Sequence, residues 1–537
     1  MKPRDYQREA RVATFGQLKD SASTLVVMAT GCGKTIFMAD FIRSVFPHRA
    51  MVLAHREELI FQAAEKIRAF TGFRCDIEMA GHRAELGGMF GHPQVVVSSI
   101  QTQVSGADGS GRMTRFDPTK FGYLFIDECH HAPAGSYKKA IAYYRQNPNL
   151  KVVGVTATPD RSDEKALGQI FDTVAFEYDI LKAVSNGWLV EPLQQVVSVE
   201  GLDFSACRTT AGDLNGKDLA AVMEYEENLH RLATPTLELT RDKRTIVFAS
   251  SVHHAERLAE IFNRHREGCA GWVCGKTDKD ERRKTLADFS SGKLQYVVNV
   301  GVLTEGFDDH GVECIVMGKP TMSRSLYTQM VGRATRPVPG IDAHETSEAR
   351  LAYIAASSKP NCTIYDFAGN SGKHKLVSLA DALSGDMTDD VIELATAMAR
   401  KAAGAVSIVK ALDAAREQIA KDAERAKMAA AARRMKLTAR ADYNTQTVSP
   451  FDAFALSPVQ ERGWQAGKEL SEKQKSMLQK QGISPDKLTF AQGKQLIAEI
   501  FRRWDNGLCS YKQATILSKH GIDATNTTRE QASEHLD

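Results

Sequence analysis

LVVMATGCGKT, residues 25–35, is the stretch whose reading decides the fold. The apolar run Leu25–Met28 has the length and composition of a short buried parallel strand. It breaks into the glycine turn Gly31-Cys32-Gly33 before Lys34, Thr35 and the apolar helix IFMADFIRSVF. Glycines let successive backbone N–H groups curl around a polyphosphate, and the helix that follows directs its positive end at it. In that frame Thr30 to Gly33 cradle phosphate, Lys34 reaches the outer phosphates and Thr35 offers a hydroxyl to magnesium. The stretch predicts a phosphate loop and a chain that hydrolyses a nucleoside triphosphate. It departs from the general pattern at Met28, where a glycine is usual.

Outward from the loop, apolar runs that end in polar residues alternate with helical patterns: Met51–Leu53, then Gln94–Ser98, then YLFIDECHHA ending at Asp127-Glu128, then KVVGVTATPDR with a strand ending at Thr156. This alternation predicts an α/β doubly wound parallel sheet, with its chemistry at the carboxyl ends of the strands. Asp127 is then placed to hold magnesium, and Glu128 to orient and deprotonate an attacking water. Cys129, His130 and His131 are consecutive and do not converge on one ion, so His130 is assigned a coupling role. A second alternating pattern starts at TIVFASS and has no phosphate loop of its own. Its contribution is the pair Arg333 and Arg336, guanidinium groups from a facing domain that can stabilise charge on the transferred phosphoryl group. Gln329, four positions before Arg333, is expected on the same helix face.

At 537 residues the chain suggests about three domains. Its 43% hydrophobic and 25% charged residues are those of an ordinary globular protein. A net charge of +3 is too small to argue for nucleic acid without a local basic surface. The nine cysteines include no C-x-x-C pair, which points away from a zinc ribbon or a disulfide framework. No apolar segment approaches the roughly 20 residues of a membrane span, and MKPRDYQREA lacks the apolar core of a signal peptide, so a cytoplasmic setting with no membrane partner is expected.

Taken together the motifs resemble those of the superfamily 2 helicases of the DEAD/DEAH-box kind. RDYQREA resembles the adenine-reading motif, MATGCGKT motif I, LAHREEL motif Ia, DECH motif II and TATP motif III. In the second lobe IVFASS, VLTEGFD and QMVGRATR resemble motifs IV, V and VI. The likeness covers residues 1 to 370, and the wording GVTATPDR and LTEGFD is most similar to the restriction-enzyme-type, RadD-like and phage DNA helicases. It implies two tandem RecA-like lobes, ATP and Mg²⁺ in the cleft between them, and single-stranded nucleic acid across both. It further implies that Arg4, Tyr6 and Gln7 meet the adenine, that Gly306 and Asp308 couple nucleotide to strand, and that Thr156 to Thr158 link hydrolysis to lobe movement. The expected layout is lobe 1 over 1–195, lobe 2 over 196–375, a basic alanine-rich helical extension over 376–440, a linker over 441–470, and a helical domain over 471–537.

That last segment holds an internal repeat: SEKQKSMLQKQGI from Ser471 aligns with SYKQATILSKHGI from Ser510. Ser471, Thr489, Ser510 and Thr528 each precede a glutamine by three residues, which predicts four capped helix starts, and Gly482 and Gly521 suit helix ends. The extension's Arg433, Arg434, Lys436 and Arg440 could hold phosphates or simply face solvent. The expected function is an ATP-dependent DNA helicase or translocase of repair, recombination or phage replication, with forked or single-stranded DNA as partner and a replication or repair protein at the helical repeats. The motor of a restriction system and an ATP-switched nucleic-acid clamp are the alternatives, and RNA stays open as a substrate.

Overall fold

The computed structural model describes every residue except 1, 88–90, 107–110, 133, 158–166, 211, 305, 372–374, 385–386, 403, 438–447, 461–467 and 536–537. β1 (Ser23–Met28) is buried at every position, as a parallel strand covered on both faces must be. It belongs to a seven-stranded sheet with β2 (Arg49–Ala54), β3 (Cys75–Glu78), β4 (Val95–Ser99), β5 (Phe121–Asp127), β6 (Lys151–Thr156) and β7 (Thr173–Tyr178). The order is β3-β4-β2-β5-β6-β1-β7, with every pairing parallel. Helix α1 (Asp5–Asp20) leads into β1, α2 (Lys34–Ser44) follows the loop, and α3 (Glu57–Thr71) links β2 to β3. In the core Phe41 of α2 stacks on Phe15 of α1 at 4.3 Å and meets Phe125 of β5 edge-on at 5.6 Å.

The second sheet contains β8 (Glu191–Asp203), β11 (Thr245–Ala249), β12 (Ala270–Cys274), β13 (Tyr296–Val300), β14 (Cys314–Gly318), β15 (Asn361–Asn370) and β16 (Val406–Ser407). Its order is β12-β13-β11-β14-β15-β8-β16, parallel except for β16. A small hairpin, β9 (Thr209–Thr210) with β10 (Asp213–Leu214), lies outside it. The two sheets with their helices are the α/β architecture of two RecA-like lobes, and a helical region follows.

The layout expected from sequence needs three corrections. The boundary at 195/196 falls inside β8, which pairs with β15 from Glu191 onward, so the second lobe starts earlier. Its folding unit also runs past 375: the helices Leu379–Leu383 and Asp389–Lys401 bury Leu379, Leu383, Ile392 and Ala395, and β16 joins the sheet. Part of the expected linker is core, since Phe451, Phe454 and Leu470 are buried with Leu496 and Leu517 of the terminal helices. The basic helix spans Ile408–Leu437, and Arg440 lies outside the described residues.

The chain separates into two compact units, one of residues 1–160 and 170–419, the other containing Ala420–Asp537. In the second unit all four capping boxes form, each serine or threonine accepting from the glutamine N–H three residues on while the glutamine side chain reaches back. Gly482 ends its helix in the left-handed region at φ 87°, and Gly521 is left-handed at φ 75°. Arg503, only 2% exposed, ties the repeats by donating to the carbonyls of Cys509 and Ala524. Removing one cap, Thr489→Ala, should cost the helix Phe490–Asp505 about 1 kcal/mol. Hydrogen exchange should then show its first-turn amides opening about fivefold more often.

Candidate active site

Because the strands of the first sheet are parallel, their carboxyl ends share one edge, and Met28, Asp127 and Thr156 end β1, β6's neighbour β5, and β6 there. After Met28 the chain turns through two left-handed residues, Gly31 (φ 90°) and Gly33 (φ 73°), into α2. The positions that need glycine are therefore 31 and 33. Met28 is a fully buried strand residue, which explains how the loop forms without a glycine there. A Cβ on Gly33 would lie 2.6 Å from the Gln7 Nε2 atom.

That contact changes the part expected of the N-terminal motif. Gln7 Nε2 donates to the carbonyls of Cys32 (2.9 Å) and Gly33 (3.3 Å), and its Oε1 accepts from the Arg4 N–H. Tyr6 Oη donates to the same Cys32 carbonyl, and its ring is stacked on Tyr178 at 4.2 Å. Both side chains brace the loop from outside. Arg4 lies 4.3 Å over the Trp188 ring and pairs with Asp342 of the second lobe at 2.7 Å. Cys32 contributes its backbone; burial pushes its thiol up to about 12.

Lys34 Nζ donates to Glu128 Oε1 at 2.7 Å, both side chains being nearly buried. Asp127 Oδ1 accepts the Glu128 N–H at 3.0 Å. Glu128 itself is left-handed (φ 45°, ψ 53°), a conformation that disfavours any side chain by about 1 kcal/mol and is characteristic of functional positions. His130 Nδ1 lies 3.5 Å from Glu128 Oε2 and 3.3 Å from Thr156 Oγ1, joining the ends of β5 and β6. Thr158 lies outside the described residues.

The second lobe closes over the loop. A Cβ on Gly332 would stand 2.5 Å from Thr30 Cβ, so only glycine permits the approach. The helix Arg324–Val331 stops before it, with Arg333 N bonding back to Met330 O and Ala334 N to Val331 O in a tighter turn. This corrects the expected helix face: Gln329 is buried on the helix and does not line the cavity, whereas Arg333 and Arg336 beyond it do. Arg333 donates to the carbonyls of Phe307 (2.6 Å) and Thr304 (2.7 Å), holding the segment that carries Gly306 and Asp308. Arg336 pairs with Asp308 and lies against Gly31; burial pushes its guanidinium down to about 10, so it stays cationic at neutral pH.

The result is a cavity of about 100 Å³ lined by Thr30, Gly31, Gly33, Lys34 and Thr35, by Asp127 and Glu128, and by Gly306, Asp308, Arg333 and Arg336. Arg4, Gln7, Cys32, His130 and Thr156 stand behind it. α3 adds two residues that sequence reasoning missed: Gln62, which donates to Gly306 O at 2.8 Å, and Lys66, whose Nζ is 4.0 Å from Asp308 Oδ2. Burial and the nearby Arg336 both push the Lys66 ammonium down. The polar residues Glu58, Gln62 and Lys66 recur every four residues on α3, and that stripe was the available signal. The cations Lys34, Lys66, Arg333 and Arg336 face the carboxylates Asp127, Glu128 and Asp308, a balance that favours a further anion.

Two such lobes sharing one phosphate-loop cavity define the class to which known proteins can be compared. Residues 1–161 match the family described as type III restriction enzyme, res subunit, and residues 226–338 the helicase conserved C-terminal domain. The putative ATP-dependent helicase IRC3 of Saccharomyces cerevisiae is 28% identical over 405 residues, 72% of this chain and 54% of the yeast protein. The DNA 3'-5' translocase XPB2 of Sulfurisphaera tokodaii is 25% identical over 374 residues, 62% of this chain and 78% of that protein. In fold, the type ISP restriction-modification enzyme LlaBIII bound to DNA superposes with a TM-score of 0.52 at 17% identity, covering 75% of this chain and 30% of that one. The chain thus spans about half the length of its yeast relative. Its two lobes match helicase-type family models, and these likenesses support a superfamily 2 helicase related to the restriction-enzyme type.

Gly332→Ala should force the second lobe off the loop. Hydrogen exchange at Gly31–Thr35 should rise about tenfold or more, while the terminal helical unit keeps its protection.

Proposed function

We propose that the chain is an ATP-dependent motor on DNA, and the observation that carries this is the paired arrangement of the cavity's charges. Lys34 is held by Glu128 and Arg336 by Asp308. A triphosphate entering the loop competes for both cations. Lys34 turns from Glu128 to the outer phosphates, which leaves the Glu128 carboxylate to orient a water and take its proton. Arg336 turns from Asp308 to the same phosphates from the second lobe, so occupancy of one lobe is felt by the other.

The Thr35 hydroxyl and the Asp127 carboxylate fit magnesium, which takes one or two protein ligands beside phosphate oxygens and water. When bound, the ion would neutralise charge on the phosphates. Among the described residues no group of three His, Cys, Asp or Glu side chains could hold a metal. His130 and Thr156 then act as positioning residues between the acid of β5 and the end of β6.

DNA is preferred to RNA because the archaeal relative is named a DNA translocase, and that name also favours translocation over strand separation. The terminal helical unit, where Phe501 and Trp504 are exposed, is the candidate surface for a replication or repair partner. Among the described residues no helix is long and apolar enough to cross a membrane, and all nine cysteines are free and buried, which supports a reducing, cytoplasmic setting.

ATP hydrolysis measured with single-stranded, duplex and forked DNA and with RNA, at several salt concentrations, tests the polymer and geometry. Lys34→Ala and Glu128→Gln should each lower DNA-stimulated hydrolysis by about 10² or more. Stimulated hydrolysis that persists in both variants would sink the proposal. Triplex displacement without strand displacement would assign translocation.

A further inference from the structure

The amino-terminal edge of the first sheet carries a second cavity, of about 500 Å³. β2, β5 and β6 begin there, and their register sets Arg49 beside Phe121 and Tyr123 beside Lys151. The phosphate loop leaves the opposite edge. With strands of about six residues rising ~3.3 Å each, the two cavities are about 20 Å apart.

His48, Arg49, Lys120 and Lys151 line this second cavity, and among the described residues no carboxylate does. Arg49 is the built element. Its Nε donates to Pro93 O at 2.8 Å and its guanidinium lies 4.6 Å over the Phe121 ring, which fixes the plane. Its Nη2 is buried and has no hydrogen-bond partner among the described residues. Burial lowers its pKa with no carboxylate to offset it. An unmet buried donor costs about 1–3 kcal/mol, and more when charged, so an anion that reached the guanidinium would relieve that cost.

Two lysines and an imidazole surround it with different reach. Lys151 is anchored to Ser21 O at 2.9 Å. Lys120 and His48 are exposed, and His48 packs over Gly122, where a Cβ would approach its own Cβ to 3.1 Å. Asp117, three residues before Lys120, accepts from Thr119 through both N–H and Oγ1–H. A fixed guanidinium fork with one anchored and one exposed ammonium beside it is the donor set that phosphate oxygens take, and the volume admits more than one phosphate.

We infer that this cavity is a second phosphate-binding site, distinct from the phosphate loop, that takes a phosphate group either free in solution or carried on a nucleic-acid backbone. Calorimetric titration of the full chain with pyrophosphate tests it without reference to hydrolysis. In the Lys34→Ala chain, where the loop site is disabled, pyrophosphate should still bind. Adding His48→Ala and Lys120→Ala, both at exposed positions, should weaken that binding at least tenfold with an unchanged circular dichroism spectrum. Arg49→Lys, which keeps the charge and loses the fork, should weaken it as well. Salt dependence of duplex DNA binding then distinguishes the sources. A fall of about 0.9 in the slope of log K against log salt in Lys120→Ala assigns a backbone phosphate, and an unchanged slope assigns a free one. Pyrophosphate binding that vanishes with Lys34→Ala alone, or that the His48 and Lys120 substitutions leave unaltered, overturns the site.

Discussion

The ion pair between Lys34 and Glu128 is the constraint on which the site depends. A nearly buried ammonium and a nearly buried carboxylate are tolerable because each answers the other; removing either partner from such a pair typically costs 3–5 kcal/mol. The pair in turn needs β1 and β5 to end on the same edge of a parallel sheet, and it needs Glu128 turned back toward the loop. The second lobe repeats the device with Arg336 and Asp308. Four groups of opposite sign, contributed by two sheets, are thereby held within one small cavity.

Most of this was legible where chemistry is local. The loop and the acidic pair announce themselves by residue type at strand ends and the arginines by residue type beyond a helix end, and the cavity gathers Lys34, Thr35, Asp127, Glu128, Arg333 and Arg336. The four capping boxes were legible for the same reason, because each is closed by residues three apart. Long-range packing was not. That Gln7 and Tyr6 brace the Cys32 carbonyl depends on where α1 lies against the loop, and nothing in RDYQREA specifies it. The helix carrying Gln329 stops at Val331, and Gly332 just beyond it meets Thr30, a contact between residues some three hundred positions apart. Lobe boundaries failed similarly: β8 and β16 are assigned to the second sheet by pairing, and pairing partners far along the chain leave no periodic trace.

Hydrogen bonds from both lobes converge on one wall of the phosphate-loop cavity. Arg333 donates to two carbonyls of the segment bearing Gly306 and Asp308, and Gln62 of α3 donates to the Gly306 carbonyl from the other lobe. These are directional bonds to backbone carbonyls. Outside them, Lys279 with Glu57 and Arg282 with Glu58 pair the lobes at exposed positions, where salt weakens such contacts.

The left-handed backbone at Glu128 has a consequence for how this sequence can drift. Glycine is the residue that geometry prefers, so Glu128→Gly would relieve the local conformation by about 1 kcal/mol. It would also remove the partner of Lys34 and the carboxylate that faces the loop. Greater backbone comfort and the chemistry of the site therefore exclude one another at this position. Leaving the Lys34 ammonium without its partner costs more than that relief, about 3–5 kcal/mol, so the ion pair holds the carboxylate in its left-handed place.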